Sequence, residues 1–232
     1  MVHHKLLSPY VSPEAKAQLA EFRDPTGYWT ATSTIYIVIG YNTKMVAGKE
    51  VPKRWEDLLD PKWKGKVSID QEEYPWYATL LAVWGREKTE RYMTALARQE
   101  VQWRKGHTLI AQLLAAGEFP VGIVYAHTVD SMQKAGASVD WVNTVDPVVA
   151  LASRLAVSAR PNHPNTAKLL ADFVLSKEGQ EIARFASRIP VRGDIEPLSP
   201  KMDPAKLRLK VAPDWSIQSE KYVEEFRRIF GL

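Results

Sequence analysis

The sequence predicts an α/β fold, a mostly parallel sheet covered by helices, and three observations carry that prediction. Strand-like and helix-like segments alternate from Thr32 to Val142, the pattern of helices packed on the faces of a sheet. Helical segments are punctuated as helices are, with Pro75 and Pro164 at starts and Gly85 and Gly117 just past ends. A chain of 232 residues with 45% hydrophobic content also holds enough core material for one large or two small domains.

The opening stretch, Met1 to Trp29, is broken by Pro9, Pro13 and Pro25 and reads as irregular chain around one short helix near Glu14 to Phe22. Thr32 to Ile39, TSTIYIVI, is dense in β-branched and aromatic residues and reads as a buried strand closed by Gly40-Tyr41-Asn42. Pro52 to Leu59 suits a short helix, Pro61 to Gly65 a turn and Lys66 to Ile69 a strand. Helices follow over Pro75 to Trp84 and over Arg86 to Gln99, the second carrying Tyr92, Met93, Leu96 and Ala97. Thr108 to Ala116 makes another, with Thr108 as its cap and Gly117 as its stop. Val121 to Tyr125 is a strand, Thr128 to Ala135 a helix, Ser138 to Val142 a strand, and Val148 to Ser158 runs apolar and extended.

A helix pair comes next. Pro164 sits in the first turn, Ala167, Leu170, Ala171 and Val174 recur at helical spacing, and Leu169 and Phe173 widen the apolar face. Ser176 is placed to cap the following helix, Lys177 to Phe185. Ile189-Pro190-Val191 leads into a Pro-rich linker, Glu196 to Pro204. In the tail, Ser219 to Phe230, one face carries Tyr222, Val223, Phe226, Ile229 and Phe230 and should dock on a core. No internal repeat is visible.

Charge and composition exclude several functions. Lys and Arg number 31 against 27 Asp and Glu, and the resulting +4 is interspersed with no basic block. That argues for a weak preference for anionic partners and against nucleic acid, which needs a clustered basic face. The absence of cysteine removes disulfides, thiolate metal sites and cysteine nucleophiles. The first residues, MVHHKLLSPYVSPE, lack the apolar core of a secretory signal. Either a signal has been removed or the chain never carried one. No run of about 18 apolar residues is present to span a membrane. Motifs of hydrolases, zincins, P-loops and dinucleotide binding are missing. His3-His4, His107, His127 and His163 lack metal-ligand spacing, and Glu72-Glu73 sit adjacent with no partner evident in sequence.

HPNTAKLLADFVLSKEGQ at His163 to Gln180, WEDLLDPKWKGKV at Trp55 to Val67, YNTKMV at Tyr41 to Val46 and LLAAGEFPVGIV at Leu113 to Val124 together resemble the extracellular solute-binding proteins of bacterial ABC importers. The branch containing ferric-iron-binding proteins is the most similar, and the likeness runs over roughly Ser8 to Gly193. The resemblance implies a type II periplasmic-binding-protein-like fold: two α/β lobes joined by crossing strands and closing on a ligand. It implies one near-complete C-terminal-type lobe, residues 34–150 and 193–232, and a truncated remnant of the N-terminal-type lobe, residues 1–33 and 151–192. Thr30 to Ile35 would be the first crossing and Val148 to Val157 the return. Only about the last two thirds of the family pattern is covered. The incomplete lobe would leave Leu170, Phe173 and Val174 exposed, at about 25 cal/mol per Å2 of apolar surface. Self-association or strand exchange between copies is therefore expected.

Three junctions between strand and helix qualify as a site, because ligands gather beyond the carboxyl ends of strands where helix N-termini offer free N–H groups. At the first, Tyr74, Trp76 and Tyr77 either line a cleft or pack the lobe surface. At the second, Gly106-His107-Thr108, either the backbone approaches an anion or Thr108 simply caps a helix. The third is Tyr125-Ala126-His127-Thr128. Ferric-binding relatives place a tyrosine pair just after this strand, and counting from Gly117-Glu118 the pair falls here on His127 and Thr128. Imidazole and hydroxyl do not replace two phenolates for ferric iron, and His127 is otherwise an ordinary surface histidine.

No metal site and no cofactor are therefore expected. The resemblance implies a non-enzymatic substrate-binding component, periplasmic or extracellular, that takes a small anionic solute or an anionic metal complex and partners a membrane permease. An enzyme on the same two-lobe fold, or a dimeric remnant serving as an interaction module, are the alternatives.

Overall fold

The structure, a computed structural model, describes residues 5–213 and 219–232. In chain order the elements are β1 (Leu7–Ser8), β2 (Thr30–Asn42), β3 (Val67–Asp70), α1 (Tyr74–Trp84), α2 (Arg86–Ala97), β4 (Gln102–Arg104), α3 (His107–Ala116) and β5 (Val121–Tyr125). They continue with α4 (Ala126–Lys134), β6 (Val139–Trp141), β7 (Val148–Leu155), β8 (Val157–Ser158), α5 (Pro164–Leu175), α6 (Lys177–Phe185), β9 (Leu209–Val211) and α7 (Ser219–Phe230). The short helices expected near Glu14 and Trp55 are 3-10 turns, Pro13–Ala17 with Ala20–Phe22 and Trp55–Leu59. Two compact units result: Tyr36–Leu151 with Pro204–Leu232, and Met1–Ile35 with Ala152–Asp203.

The larger unit is built on a sheet of order β4-β3-β5-β2-β7-β9, with β6 paired to β2. β3 lies parallel to β4 and β5, and β7 is parallel to β9. β2, however, runs antiparallel to β5 and β6. The sheet is therefore mixed, which corrects the mostly parallel expectation. The physical reason is the connection: β3, β4 and β5 are joined through helices, which return the chain for parallel pairing. Only 3-10 turns separate β2 from β3.

On this sheet Ile37, Val38, Ile39, Val67, Ile69, Val121 and Ile123 are fully buried. One helical layer packs through aromatic rings. Trp76 meets Trp55 at 5.1 Å and Tyr92 at 6.0 Å between centroids. Gly85, at φ 78°, ends α1 and starts α2, a backbone conformation that a side chain would strain. The C-terminal tail docks as its apolar face predicts, with Phe226 fully buried against Tyr74, Tyr77 and Phe230.

In the smaller unit β1 pairs antiparallel with β8, and α5 and α6 form the expected helix pair. Ser176 Oγ accepts from Gly179 N–H at 3.1 Å and caps α6. Buried Gln180 donates to Thr32 C=O and Val174 C=O and accepts from Val191 N–H. Residues 193–203, expected with the larger lobe, group here instead. Gly193 N–H donates to Ala17 C=O, and Arg192 bridges Glu14 and Asp194. On α5 and α6, Leu169, Leu170, Phe173, Ile182 and Phe185 are 46–73% exposed, whereas Val174 is partly covered.

Candidate functional site

The registers of the three parallel strands set the site. Asp70 pairs opposite Arg104 on β4, and Val67 opposite Val121 on β5, so β3, β4 and β5 point their carboxyl ends to one edge of the sheet. Each is followed within four residues by a helix start, α1, α3 and α4 respectively. Three helix N-termini therefore line that edge, all inside the larger unit. Their aligned peptide dipoles favour negative charge there.

Part of that demand is met by the protein itself. Asp70, the last residue of β3, accepts from Glu72 N–H at 2.8 Å and from Gly106 N–H at 2.7 Å. Glu73, at the cap position of α1 and only 1% exposed, meets His107 Nε2 at 2.6 Å. His107 Nδ1 lies 3.5 Å from Asp70 Oδ2. Burial works against the charged imidazole, but the Glu73 charge and hydrogen bond, with the Asp70 charge, outweigh it and hold His107 above its ordinary value. The result is an imidazole between two carboxylates that favour its protonated form.

A stack of rings continues outward. Tyr125, at the end of β5, lies on His107 with centroids 3.8 Å apart and planes 10° from parallel, and His127 follows at 5.8 Å and 17°. Burial, then the Glu73 and Asp70 charges, push the Tyr125 phenol well up, so it remains a protonated donor at neutral pH. Beside the stack, Thr108 lies exposed in the first turn of α3, while His127 and Thr128 lie half-buried in the first turn of α4. Neither helix has a side-chain cap. Thr108 and Thr128 place hydroxyl groups in those first turns, where helix N–H groups have no partner within the helix.

The structure brings Gly106, His107, Thr108, Tyr125, His127 and Thr128 to this edge. Thr108 does not cap α3. The helix begins one residue earlier, and Gly106 at φ 100° holds the cap position. Trp76 and Tyr77 are fully buried, Trp76 between Trp55 and Tyr92, and Tyr77 with its hydroxyl donated to Glu225 at 3.1 Å. Tyr74 is 7% exposed and meets Phe226 edge-on. Tyr74 and Tyr77 pack under α7, and Trp76 packs between Trp55 and Tyr92. Sequence reasoning missed the role of Asp70 and Glu73. The signal available was positional: a strand-terminal Asp and a helix-cap Glu, one junction away from a histidine at the start of a helix. Among the described residues no group of three His, Cys, Asp or Glu side chains is disposed to hold a metal ion.

Comparison with known proteins agrees with this architecture. An uncharacterized protein of Haemophilus influenzae is 29% identical over 221 residues, covering 88% of this chain, and the chain spans 63% of that relative's length. The crystal structure of iron-bound HitA from Pseudomonas aeruginosa superposes with a TM-score of 0.87 at 20% identity, over 100% of this chain and 78% of that one, which speaks to the fold. AfuA from Actinobacillus pleuropneumoniae, with exogenous fructose-6-phosphate bound, matches with a TM-score of 0.77 at 28% identity, over 99% of this chain and 76% of that one. The fold is that of the type II periplasmic binding proteins. Residues 1–215 match the family model of the bacterial extracellular solute-binding proteins, and the chain belongs to that family.

Proposed function

We propose that this chain is the substrate-binding component of an ABC importer, or the larger part of one, and that it captures a small anionic solute. The observation that carries the reading is the edge where α1, α3 and α4 begin beside the His107–Tyr125–His127 stack. It offers hydrogen-bond donors: helix N–H groups, two threonine hydroxyls and a phenol kept protonated. Similarity to AfuA with its bound sugar phosphate supports an oxyanion-bearing ligand. The same donors disfavour bare ferric iron, which seeks anionic oxygen. The larger unit is read as the near-complete lobe and the smaller one as part of the other. No catalysis is assigned, because His107 is committed to Glu73. Ligand capture shifts the population of the state that a membrane permease recognises, in the periplasm or outside the cell.

Isothermal titration of the purified chain with fructose-6-phosphate, inorganic phosphate, ferric citrate and plain fructose tests this. Binding of at least one anion, no binding of fructose, and about tenfold weakening by Tyr125→Phe are expected. Failure of all three anions at millimolar concentration overturns the reading. The exposed Leu169, Leu170, Phe173, Ile182 and Phe185 favour a further proposal, that copies associate through this face. Light scattering at micromolar concentration should show an oligomer that Phe173→Glu dissolves. A monomeric wild type sinks that proposal.

A further inference from the structure

The opposite edge of the same sheet carries a groove that solute capture does not use. It holds about 470 Å3 and opens beside Lys66, Gln102 and Pro120, the residues at the amino ends of β3, β4 and β5. That volume lies within the range of small-molecule sites, about 300–1,000 Å3. Its wall is apolar: Met45, Val46, Trp63, Phe119 and Pro120. Met45 stays 47% exposed, an apolar side chain left in water at the groove.

Charge narrows the ligand. Lys62, Lys66, Glu50 and Glu118 are the ionic groups of the lining. Glu118 is neutralised by Arg104 from outside the lining. Lys62 lies 4.8 Å from the Trp63 ring and 4.0 Å from Asp60, so it is partly occupied. Lys66 is exposed and makes no ion pair among the described residues. With Glu118 paired to Arg104 and Lys62 to Asp60, Lys66 is the lining cation left without an ion pair among the described residues, beside an apolar wall. A phosphate dianion is a poor match, since it would lack a second free cation and leave the wall unused. An apolar body bearing one carboxylate satisfies both.

We propose that this groove is a second binding site, for a small amphiphilic monocarboxylate, with the carboxylate on Lys66 and the apolar body against Met45, Val46 and Phe119. It is independent of the solute reading, because none of its residues belongs to the His107–Tyr125 edge. The probe is 2-naphthoate, titrated calorimetrically into the full chain, with 2-naphthalenemethanol as its neutral match. One-to-one binding is expected, about tenfold tighter for the carboxylate, and about tenfold weaker after Lys66→Glu. Lys66 is exposed, so Lys66→Glu should melt at the wild-type temperature. Phe173→Ser, on the separate apolar face of α5, should leave the affinity unchanged. The proposal is overturned by absence of saturable heat, by equal affinity for the neutral match, by indifference to Lys66→Glu, or by loss of binding in Phe173→Ser.

Discussion

Replacing His107 by alanine isolates the charge balance at the sheet edge. The variant leaves Glu73 buried at 1% exposure without the nitrogen that met it at 2.6 Å. Asp70 is affected less, because it keeps the Gly106 and Glu72 N–H groups. Removing one partner of a buried ion pair costs about 3–5 kcal/mol. Loss of the ring on Tyr125 adds about 0.5–1.5 kcal/mol. Glu73 is the carboxylate left stranded, so a total of about 3.5–6.5 kcal/mol is expected. Adding Glu73→Gln removes the stranded charge, so the double variant should recover about 2 kcal/mol as coupling energy.

The pH dependence has a definite sign. The folded state holds the His107 proton more tightly than the unfolded chain does. Its contribution is therefore complete below about pH 6.5, the unfolded value, and is lost as pH rises through the higher folded value. Urea unfolding, followed by far-ultraviolet circular dichroism at about pH 6 and about pH 9, should show the gap between wild type and His107→Ala narrowing at the higher pH. A cost below about 1 kcal/mol at pH 6, or a double variant no more stable than His107→Ala, refutes the ion-pair account.

Phe226→Ala should cost about 3–5 kcal/mol, because the ring is fully buried, and limited proteolysis should then release α7. Gly179→Ala puts a methyl carbon 2.1 Å from the Phe173 carbonyl oxygen, a backbone atom that cannot swing away, so thermal unfolding should register about 1–3 kcal/mol lost at the α5–α6 junction. Tyr41 is pushed up to about 12 by burial, then by the Asp140 charge and its hydrogen bond at 3.2 Å. Ultraviolet titration of Asp140→Asn against wild type should show one tyrosine ionising at lower pH, and a Tyr41→Phe background should abolish the difference.

Legibility in sequence followed the range of the interaction that fixes each element. α1, α2 and α3 were readable because Pro75, Gly85 and Gly117 act within one turn, and Ser176 caps α6 within three residues. β4 and β9 were not. Each is three residues long, too short for a period to show, and exists because a neighbouring strand supplies its hydrogen bonds. The direction of β2 escaped for the same reason: TSTIYIVI specifies a strand but not its partner. At the site, Gly106, His107 and Tyr125 were visible as junction residues. The Glu73–His107 pair spans 34 positions, and no local pattern encodes it.

That long-range pair changes what the helix starts can bind. Read locally, Gly106 lets a backbone N–H approach an anionic ligand closely. In the structure Asp70 already accepts that N–H, so the first donor of this junction is consumed inside the protein. The same carboxylate, with Glu73, favours the protonated form of His107, while burial first and those two charges second hold the Tyr125 phenol up as a donor. The proposed ligand site is thereby displaced outward, to Thr108 on α3, Thr128 on α4 and Tyr125 between them. On the proposed reading a ligand there brings the negative oxygen itself, and helix dipoles and hydroxyls hold it. Its affinity should therefore fall little with added salt, since screening acts on separated charges and hardly on hydrogen bonds made at contact. An affinity that drops about tenfold between low salt and about 0.5 M would mean that a cation elsewhere holds the ligand.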